Sequence, residues 1–320
     1  MSATATIRAA VTAAVADSHG VIRTWSEPEV RPWSWQFRAE TDRAPLLVKV
    51  PRWEGVHSLE EALTAGPQAD TVGEFAALGE IAGLVTASGD PGLAAVVPVA
   101  HVVAVNAIVM EVFAGTSLRE RLGFGAPSAA SIWLGRVGSL LGRYHRLRVG
   151  AAPLFPVAIE VERWEEVERR HPRFVLEARL AAAAARRLAG HPVVETTQHG
   201  DLTLGNVLVS ADDRVAVIDP NRTRGSAEAD VARLLAELRL GRSQLFSFGL
   251  WRRRPVLDAW ERAIVEGHGG LDAAVLAYEC GAEALSRWIM LATGGLAARL
   301  SGTVSARRFD VEIRRRFSAS

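Results

Sequence analysis

The hydrophobic period of this chain changes once, near residue 114. That single change limits it to folds in which a strand-rich part precedes a helical one. Before the change, residues 33–40 and 46–50 are β-type runs, and Thr41-Asp42-Arg43-Ala44-Pro45 between them reads as a hairpin turn. Residues 72–85 read as a helix, with Phe75, Leu78, Ile81, Ala82 and Val85 at helical spacing. Residues 94–105 and 107–113 read as two more strands turning at Asn106. These elements make an N-terminal lobe, residues 1–113, strand-rich with one helix. From Ala114-Gly115-Thr116-Ser117 onward, residues 114–320, the pattern is mainly helical. Ser117 with Glu120 three residues on is a capping-box signature. Ser128 is placed to cap the next helix, whose Trp133, Leu134, Val137, Leu140, Leu141 and Tyr144 share a face. Two short apolar runs, 207–209 and 215–218, interrupt the helical part as a hairpin around Ala211-Asp212-Asp213-Arg214.

One of the early strands carries the only lysine of the chain. Lys49 stands in Leu46-Leu47-Val48-Lys49-Val50, against 36 arginines elsewhere. Arginine replaces lysine at most surface positions, but not where a compact ammonium on a thin stem must reach a particular anion. Side chains alternate along a strand, so Leu47 and Lys49 share one face, opposite Leu46, Val48 and Val50. Phosphate is the anion that best accounts for the choice. The bland account, codon bias with one surviving lysine, is decided by the rest of the chain.

Composition narrows the classes. A chain of 320 residues with 49% hydrophobic residues forms one large or two medium globular domains. A net charge of +1 makes no case for nucleic acid as partner. The one cysteine, Cys280, excludes an intrachain disulfide framework and suits a reducing cytoplasm, the expected location. The first residues lack the apolar core of a secretory signal. The most apolar late stretch, 288–298, is about half of the ~20 residues that a membrane span requires, so no stable membrane insertion is expected. Nothing in the sequence sets an oligomeric state.

The chemistry concentrates in Gln198-His199-Gly200-Asp201-Leu202-Thr203-Leu204-Gly205-Asn206-Val207-Leu208, followed by Val217-Ile218-Asp219-Pro220. Asp201 and Asn206 stand across a tight loop, and Asp219 ends the second hairpin strand. A carboxylate that accepts a hydroxyl proton, with an amide and a carboxylate offering hard oxygens to Mg²⁺, is the set that phosphoryl transfer uses. Proline after Asp219 favours extended backbone there.

This segment resembles the catalytic and metal-binding loops of the aminoglycoside phosphotransferase and choline kinase family, and the element order of residues 15–300 resembles its protein-kinase-like fold. The resemblance implies an α+β, bilobal protein-kinase-like fold with a small antiparallel-sheet N-lobe and a mainly helical C-lobe. It implies that Asp201 is the catalytic base and that Asn206 and Asp219 are the Mg²⁺ ligands. Lys49 matches the strand lysine that holds nucleotide phosphates, and Glu74 the helix glutamate that pairs with it. Met110, Glu111 and Phe113 match the hinge whose backbone meets the base. His199 looks like the histidine that braces the loop, and Asp230 like the helix aspartate bonded back to it. The implied reaction is ATP- and Mg²⁺-dependent transfer, with GTP an open alternative, to a hydroxyl of a small molecule such as an antibiotic, sugar, glycolipid or amino alcohol. The rival is a catalytically silent nucleotide-binding regulatory module on the same fold.

The chain departs from the protein-kinase pattern in two places. No glycine-rich loop appears between residues 20 and 40, where Thr24-Trp25-Ser26-Glu27-Pro28-Glu29-Val30-Arg31-Pro32 stands. Ser26, backbone amides or Arg31 are the sequence's substitutes for it. The short stretch from Asp219 to Asp230 leaves no room for a phosphorylatable activation segment, which disfavours protein substrates. Two signals bear on the acceptor. An arginine surplus after Leu240 points to a neutral or anionic one. The acidic run Glu160, Glu162, Glu165, Glu166 and Glu168 is read as a solvated helix face, because Arg163, Arg169 and Arg170 interleave it. His145 is expected at a helix surface or core edge, and the basic tail 307–317 in a terminal helix packed on the lobe.

Overall fold

In the computed structural model, which describes residues 2–64, 69–123, 128–150, 152–241 and 254–320, the first element is a helix that hydrophobic patterning left unassigned. Helix α1 (Ala3–His19) starts at Ser2, whose side chain accepts from the Ala5 amide, and ends at Gly20, with φ 73°. Its Ile7, Val11 and Val15 recur every fourth residue and are fully buried. By contacts the chain forms two units: Met1–Gly115 with Ser210–Arg222, and Thr116–Val209 with Thr223–Ser320.

The first unit is a sheet with helices on both faces. Strands β1 (Ile22–Trp25), β2 (Glu29–Arg31), β3 (Ser34–Thr41) and β4 (Leu46–Pro51) precede the short α2 (Leu59–Thr64) and α3 (Ala69–Ser88). Strands β5 (Pro98–Val102) and β6 (Ala107–Glu111) complete it, in the order β1-β3-β4-β6-β5. All its pairings are antiparallel. Strand β2 also pairs with β3, so β1 and β2 form two halves of one line along β3. The expected 94–105 strand is shorter, because its end closes into a 3₁₀ turn, Val103–Val105, and reverses at Asn106 with φ 46°. The expectation of a single helix in this lobe is also corrected. Its amphipathic sheet needs cover on both faces, and α1 supplies one of them. Trp35, Phe37, Ala39, Leu46, Val48 and Val50 pack against α1. Leu47, Ile108 and Met110 on the other face pack with Leu78 of α3 and with Ile218.

The segment Ser210–Arg222 belongs to this unit through the backbone. The amide of Ala94 donates to Val215 O at 2.9 Å, and that of Val215 to Gly92 O at 3.0 Å. The turn before the strand Val215–Val217 is closed by the Ser210 amide bonded to Arg214 O at 2.9 Å.

The second unit is mainly helical: α4 (Leu118–Leu122), α5 (Ala130–Arg146), α6 (Val157–Arg170), α7 (Val175–Arg187), α8 (Ala227–Leu240), α9 (Arg254–His268), α10 (Ala273–Thr293) and α11 (Leu296–Ala319). A two-stranded antiparallel ribbon, β7 (Glu195–Gln198) with β8 (Thr223–Ser226), leads into α8. Ser117, Ser226 and Asp272 cap α4, α8 and α10. Ser128 caps nothing: α5 starts at Ala130, after an Ala129 with no side-chain cap bond. Trp164, Phe174, Tyr278, Phe309, Ile313 and Phe317 form the aromatic core. The last three of these side chains belong to the basic tail, which packs inward within the terminal helix α11 as expected. Among the described residues no helix is long and apolar enough to cross a membrane.

Helices α5 and α9 touch through their backbones. A Cβ on Gly138 would collide with the Ile264 carbonyl, one on Gly142 with the His268 carbonyl, and one on Gly267 with the Gly135 carbonyl. The close approach is possible only because these positions lack side chains. Gly138→Ala therefore forces the helices apart and should destabilise the protein by about 1–3 kcal/mol, the usual cost of overpacking. A lowered thermal midpoint checks this, and an unchanged one would show that the crossing tolerates a methyl group.

Candidate active site

Lys49 lies on β4, and the predicted alternation holds: Leu46, Val48 and Val50 are buried on the side away from it. Its ammonium donates to Glu74 Oε1 at 2.8 Å and to Asp219 Oδ1 at 3.0 Å. Glu74 comes from α3 and Asp219 from the end of the segment 210–222, so three distant stretches meet at one nitrogen. Burial works against the ammonium's charge, but Asp219 and Glu74 outweigh it and raise the lysine above its ordinary range. Asp219 is not extended, as its proline neighbour suggested. Its φ is 57°, a left-handed conformation that only a few non-glycine residues adopt. Aspartate tolerates this better than most, and the lysine bond helps to hold it there.

The residues expected to form the hinge are in the same unit. Met110 pairs with Leu47 and Glu111 with Leu46, two and three residues along from the Lys49–Ile108 pair. The Glu111 amide donates to Val97 O and the Val112 amide to Pro45 O, both at 2.9 Å. Phe113 packs against the Leu78, Val96, Ile108 and Met110 cluster.

Asp201 and Asn206 lie in the second unit and are bonded to each other. The Asn206 amide group donates to the Asp201 carbonyl at 2.8 Å and to its Oδ2 at 3.1 Å. His199 is fully buried, and its Nδ1 accepts from the Asp201 amide at 3.4 Å.

One face of α8 holds this loop. Asp230 accepts from the His199 amide at 2.7 Å and from the Gly200 amide at 3.0 Å. Arg233 donates to the Gly200 carbonyl and lies 3.6 Å from Asp201 Oδ1. Glu237 accepts from the Leu204 amide at 2.7 Å and is itself gripped by Arg119 at 2.6 Å. These three positions are spaced three and four apart, one stripe of a helix. Arg233 and Glu237 were missed by the sequence reading, although the spacing from Asp230 was there to be counted.

The sequence matches the model of the phosphotransferase enzyme family (APH) over residues 34–273. The chain belongs to that family. Among solved structures it is similar to a choline/ethanolamine kinase family protein from Mesorhizobium loti, at 15% identity and TM-score 0.57, with 99% of each chain covered. It is also similar to a glucosamine kinase solved with glucosamine, ADP and inorganic phosphate, at 16% identity and TM-score 0.58, covering 90% of this chain and 81% of that one. A third is choline kinase LicA from Streptococcus pneumoniae, at 11% identity and TM-score 0.51, covering 98% and 100%. No curated protein sequence matches at a significant level. The fold is thus the bilobal, kinase-like one expected, and the chain is a small-molecule phosphotransferase.

Two expectations about its helical unit need correction or interpretation. His145 is buried, with 3% exposure, and is not a surface residue. Its Nε2 meets Asp230 Oδ2 at 3.1 Å and its Nδ1 meets His268 Nε2 at 2.9 Å. The glycine crossing of α5 and α9 brings the two rings together. Burial, His145 and Arg146 push His268 down to about 4, so it is neutral at physiological pH. Burial opposes the charge of Asp230, but the bonds from His145 and the loop keep it ionised. The acidic run of α6 behaves as a solvated face: Glu168 pairs with Arg179 at 2.7 Å, Glu165 with Arg186 at 3.2 Å, and Glu166 with Arg169 and Arg170. Glu160 differs, accepting from the Tyr278 hydroxyl at 2.6 Å.

Near Glu160 on α10 stands Glu279, a carboxyl whose burial, reinforced by Glu160, raises it to about 7, with Arg163 opposing. A group protonated more readily in the folded state adds stability that is complete below its unfolded value of 4.5 and lost as pH rises towards 7. Glu279→Gln removes that loss. The variant should match the parent's thermal midpoint near pH 4.5 and exceed it at pH 8. Equal midpoints at pH 8 would contradict a strained ionised carboxylate at this position.

Proposed function

We propose that this phosphotransferase moves the γ-phosphoryl group of ATP, with Mg²⁺, to a hydroxyl of a small molecule. The observation that carries this is the Lys49 ammonium fixed between Glu74 and Asp219, a cation held rigidly for an anionic partner. Lys49 holds the α- and β-phosphates, and Glu74 keeps it in place. Met110, Glu111 and Phe113 form the hinge for the base. The amides of Glu111 and Val112 are already engaged, so the Phe113 amide is the donor assigned to the base. The glucosamine kinase neighbour, solved with ADP, supports a nucleotide as ligand.

The metal donors fit Mg²⁺ by their chemistry. Asn206 spends its NH₂ on Asp201, which turns its carbonyl oxygen outward as the available donor. Asp219 gives one oxygen to Lys49 and keeps a second. An ion of this kind is typically bound by one or two protein oxygens and otherwise by water and phosphates. Bound there, Mg²⁺ supplies neutralisation of the phosphate charge.

Asp201 orients the acceptor hydroxyl and takes its proton as the O–P bond forms, while the bond from the γ-phosphorus to the bridging oxygen breaks. Asn206 fixes one carboxylate oxygen of Asp201 and Arg233 approaches the other, so the base has little freedom to misorient. Asp201→Asn keeps the shape and removes proton acceptance. Turnover, measured as ADP release with a panel of sugars, amino alcohols and aminoglycosides, should fall by at least about 100-fold with an unchanged thermal midpoint. Full turnover in that variant would remove the base assignment.

Lys49→Arg tests the phosphate role. A planar fork that bonds both carboxylates fills the space that the proposed phosphate contact needs. Loss of charge-assisted bonds of this kind should lower kcat/KM for ATP roughly 10- to 100-fold. A variant as active as the parent would show that any cation suffices there.

A further inference from the structure

A nucleotide site on this fold needs a roof over the base and the phosphates, and here no glycine-rich loop provides it. Two of the sequence's own candidates, Ser26 and Arg31, have other partners. Ser26 is committed to β3: its amide donates to Arg38 O at 2.8 Å, and its hydroxyl accepts from the Arg38 amide and donates to Glu27 O, both at 2.9 Å. Arg31 is paired with Glu29 at 2.7 Å. The reversal that leads into β3 is Arg31-Pro32-Trp33-Ser34, not the 24–32 stretch as a whole. Its Pro32 has no N–H to offer, and the Trp33 carbonyl is taken by the Arg52 amide at 2.8 Å.

What remains on that side of the sheet is side chains. In β3, Trp35, Phe37 and Ala39 face α1, so Gln36 and Arg38 face the same side as Leu47 and Lys49. The register makes the placement specific. Gln36 is directly opposite Lys49, and Arg38 directly opposite Leu47. Leu47 in turn is opposite Met110, at the start of the hinge. Two residues along a strand advance about 7 Å. Arg38 therefore rises one step from the phosphate-binding lysine towards the hinge, where the base of a bound nucleotide belongs. Its backbone is pinned by both Ser26 bonds, its side chain is exposed, and no carboxylate pairs with its guanidinium among the described residues.

We infer that Arg38 is the roof of the nucleotide site, its guanidinium stacked on the face of the purine ring. A delocalised planar cation suits a π-face, and the register sets Arg38 on the hinge side of Lys49. The inference rests on the nucleotide reading proposed above and goes beyond it by replacing the missing loop with one side chain.

The test measures displacement of a fluorescent ATP analogue by Mg·ATP, adenosine and tripolyphosphate, for the parent, Arg38→Ala, Arg38→Lys and Lys49→Ala. Arg38→Ala should weaken ATP and adenosine by about tenfold each, the scale of a partly desolvated cation–π contact. Tripolyphosphate should bind as before. Arg38→Lys should recover part of the loss, and Lys49→Ala should lose tripolyphosphate while keeping adenosine. In turnover, Arg38→Ala should raise the KM for ATP with kcat unchanged, which a general weakening of the sheet would not do. Unchanged adenosine affinity in Arg38→Ala overturns the inference. So does a loss confined to tripolyphosphate, which would make Arg38 a phosphate ligand. A parent protein that binds neither ATP nor adenosine sinks the nucleotide reading itself, and the roof with it.

Discussion

The ammonium of Lys49 is the point through which the first unit is tied together. It joins a strand, a helix and a segment that returns to this unit only after residue 210. Each of the three has its own reason to be there: β4 by its apolar alternate face, α3 by Leu78 and Ile81, and the segment 210–222 by backbone bonds to residues 92–94. The lysine converts their packing into a defined distance between two carboxylates. Removing the lysine would leave the buried Glu74 carboxylate uncompensated, typically at a cost of about 3–5 kcal/mol. Function and fold are therefore coupled at this nitrogen, and the left-handed conformation of Asp219 is a local strain that the bond helps to sustain.

In the second unit the corresponding constraint is one stripe of α8. A tight loop exposes amides and carbonyls that no strand or helix satisfies. Asp230 takes two amides at its start, Arg233 a carbonyl, and Glu237 an amide near its end. The helix thus does for the loop what a neighbouring strand would do, while leaving the Asp201 carboxylate about half exposed. The carboxylates in the stripe need support of their own. Asp230 receives it from His145, which the glycine-lined crossing of α5 and α9 sets beside His268. A fold-level feature, helices in backbone contact, ends in the orientation of a loop amide.

Much of this was legible in the sequence because it depends on local pattern. Alternation in 46–50 placed Lys49, helical spacing placed Glu74, and the 199–206 loop announced itself by residue type. What was not legible depended on tertiary partners. Helix α1 has a clear Ile7, Val11, Val15 period, but its alanine-rich sequence carries little apolar contrast, and the face it covers is visible only once the sheet is built. Ser26 looked like a phosphate ligand because its bond to the Arg38 backbone depends on register. His145 looked peripheral because its partners stand 85 and 123 residues away. After residue 240, Arg316 is matched to Glu261 and Glu312, Arg314 to Asp310, and Arg287 to Glu283, pairings that a count of charges does not reveal.

The imbalance of 36 arginines and one lysine then has a structural reading. Several arginines of this fold use the planar fork. Arg119 meets one oxygen of Glu237 with two of its nitrogens, Arg316 meets both oxygens of Glu261, and Arg239 reaches Glu261 and Asp258 at once. Such pairs gain from geometry and lock helices together. Between Glu74 and Asp219 the requirement is opposite. The two carboxylates come from different elements, the side chain is 12% exposed, and the proposed phosphate role requires space for a third, incoming anion. A fork would satisfy both carboxylates by filling the site, whereas a single nitrogen with three donors bonds two and keeps one. The lysine that codon bias spared is the one cation whose task depends on being small.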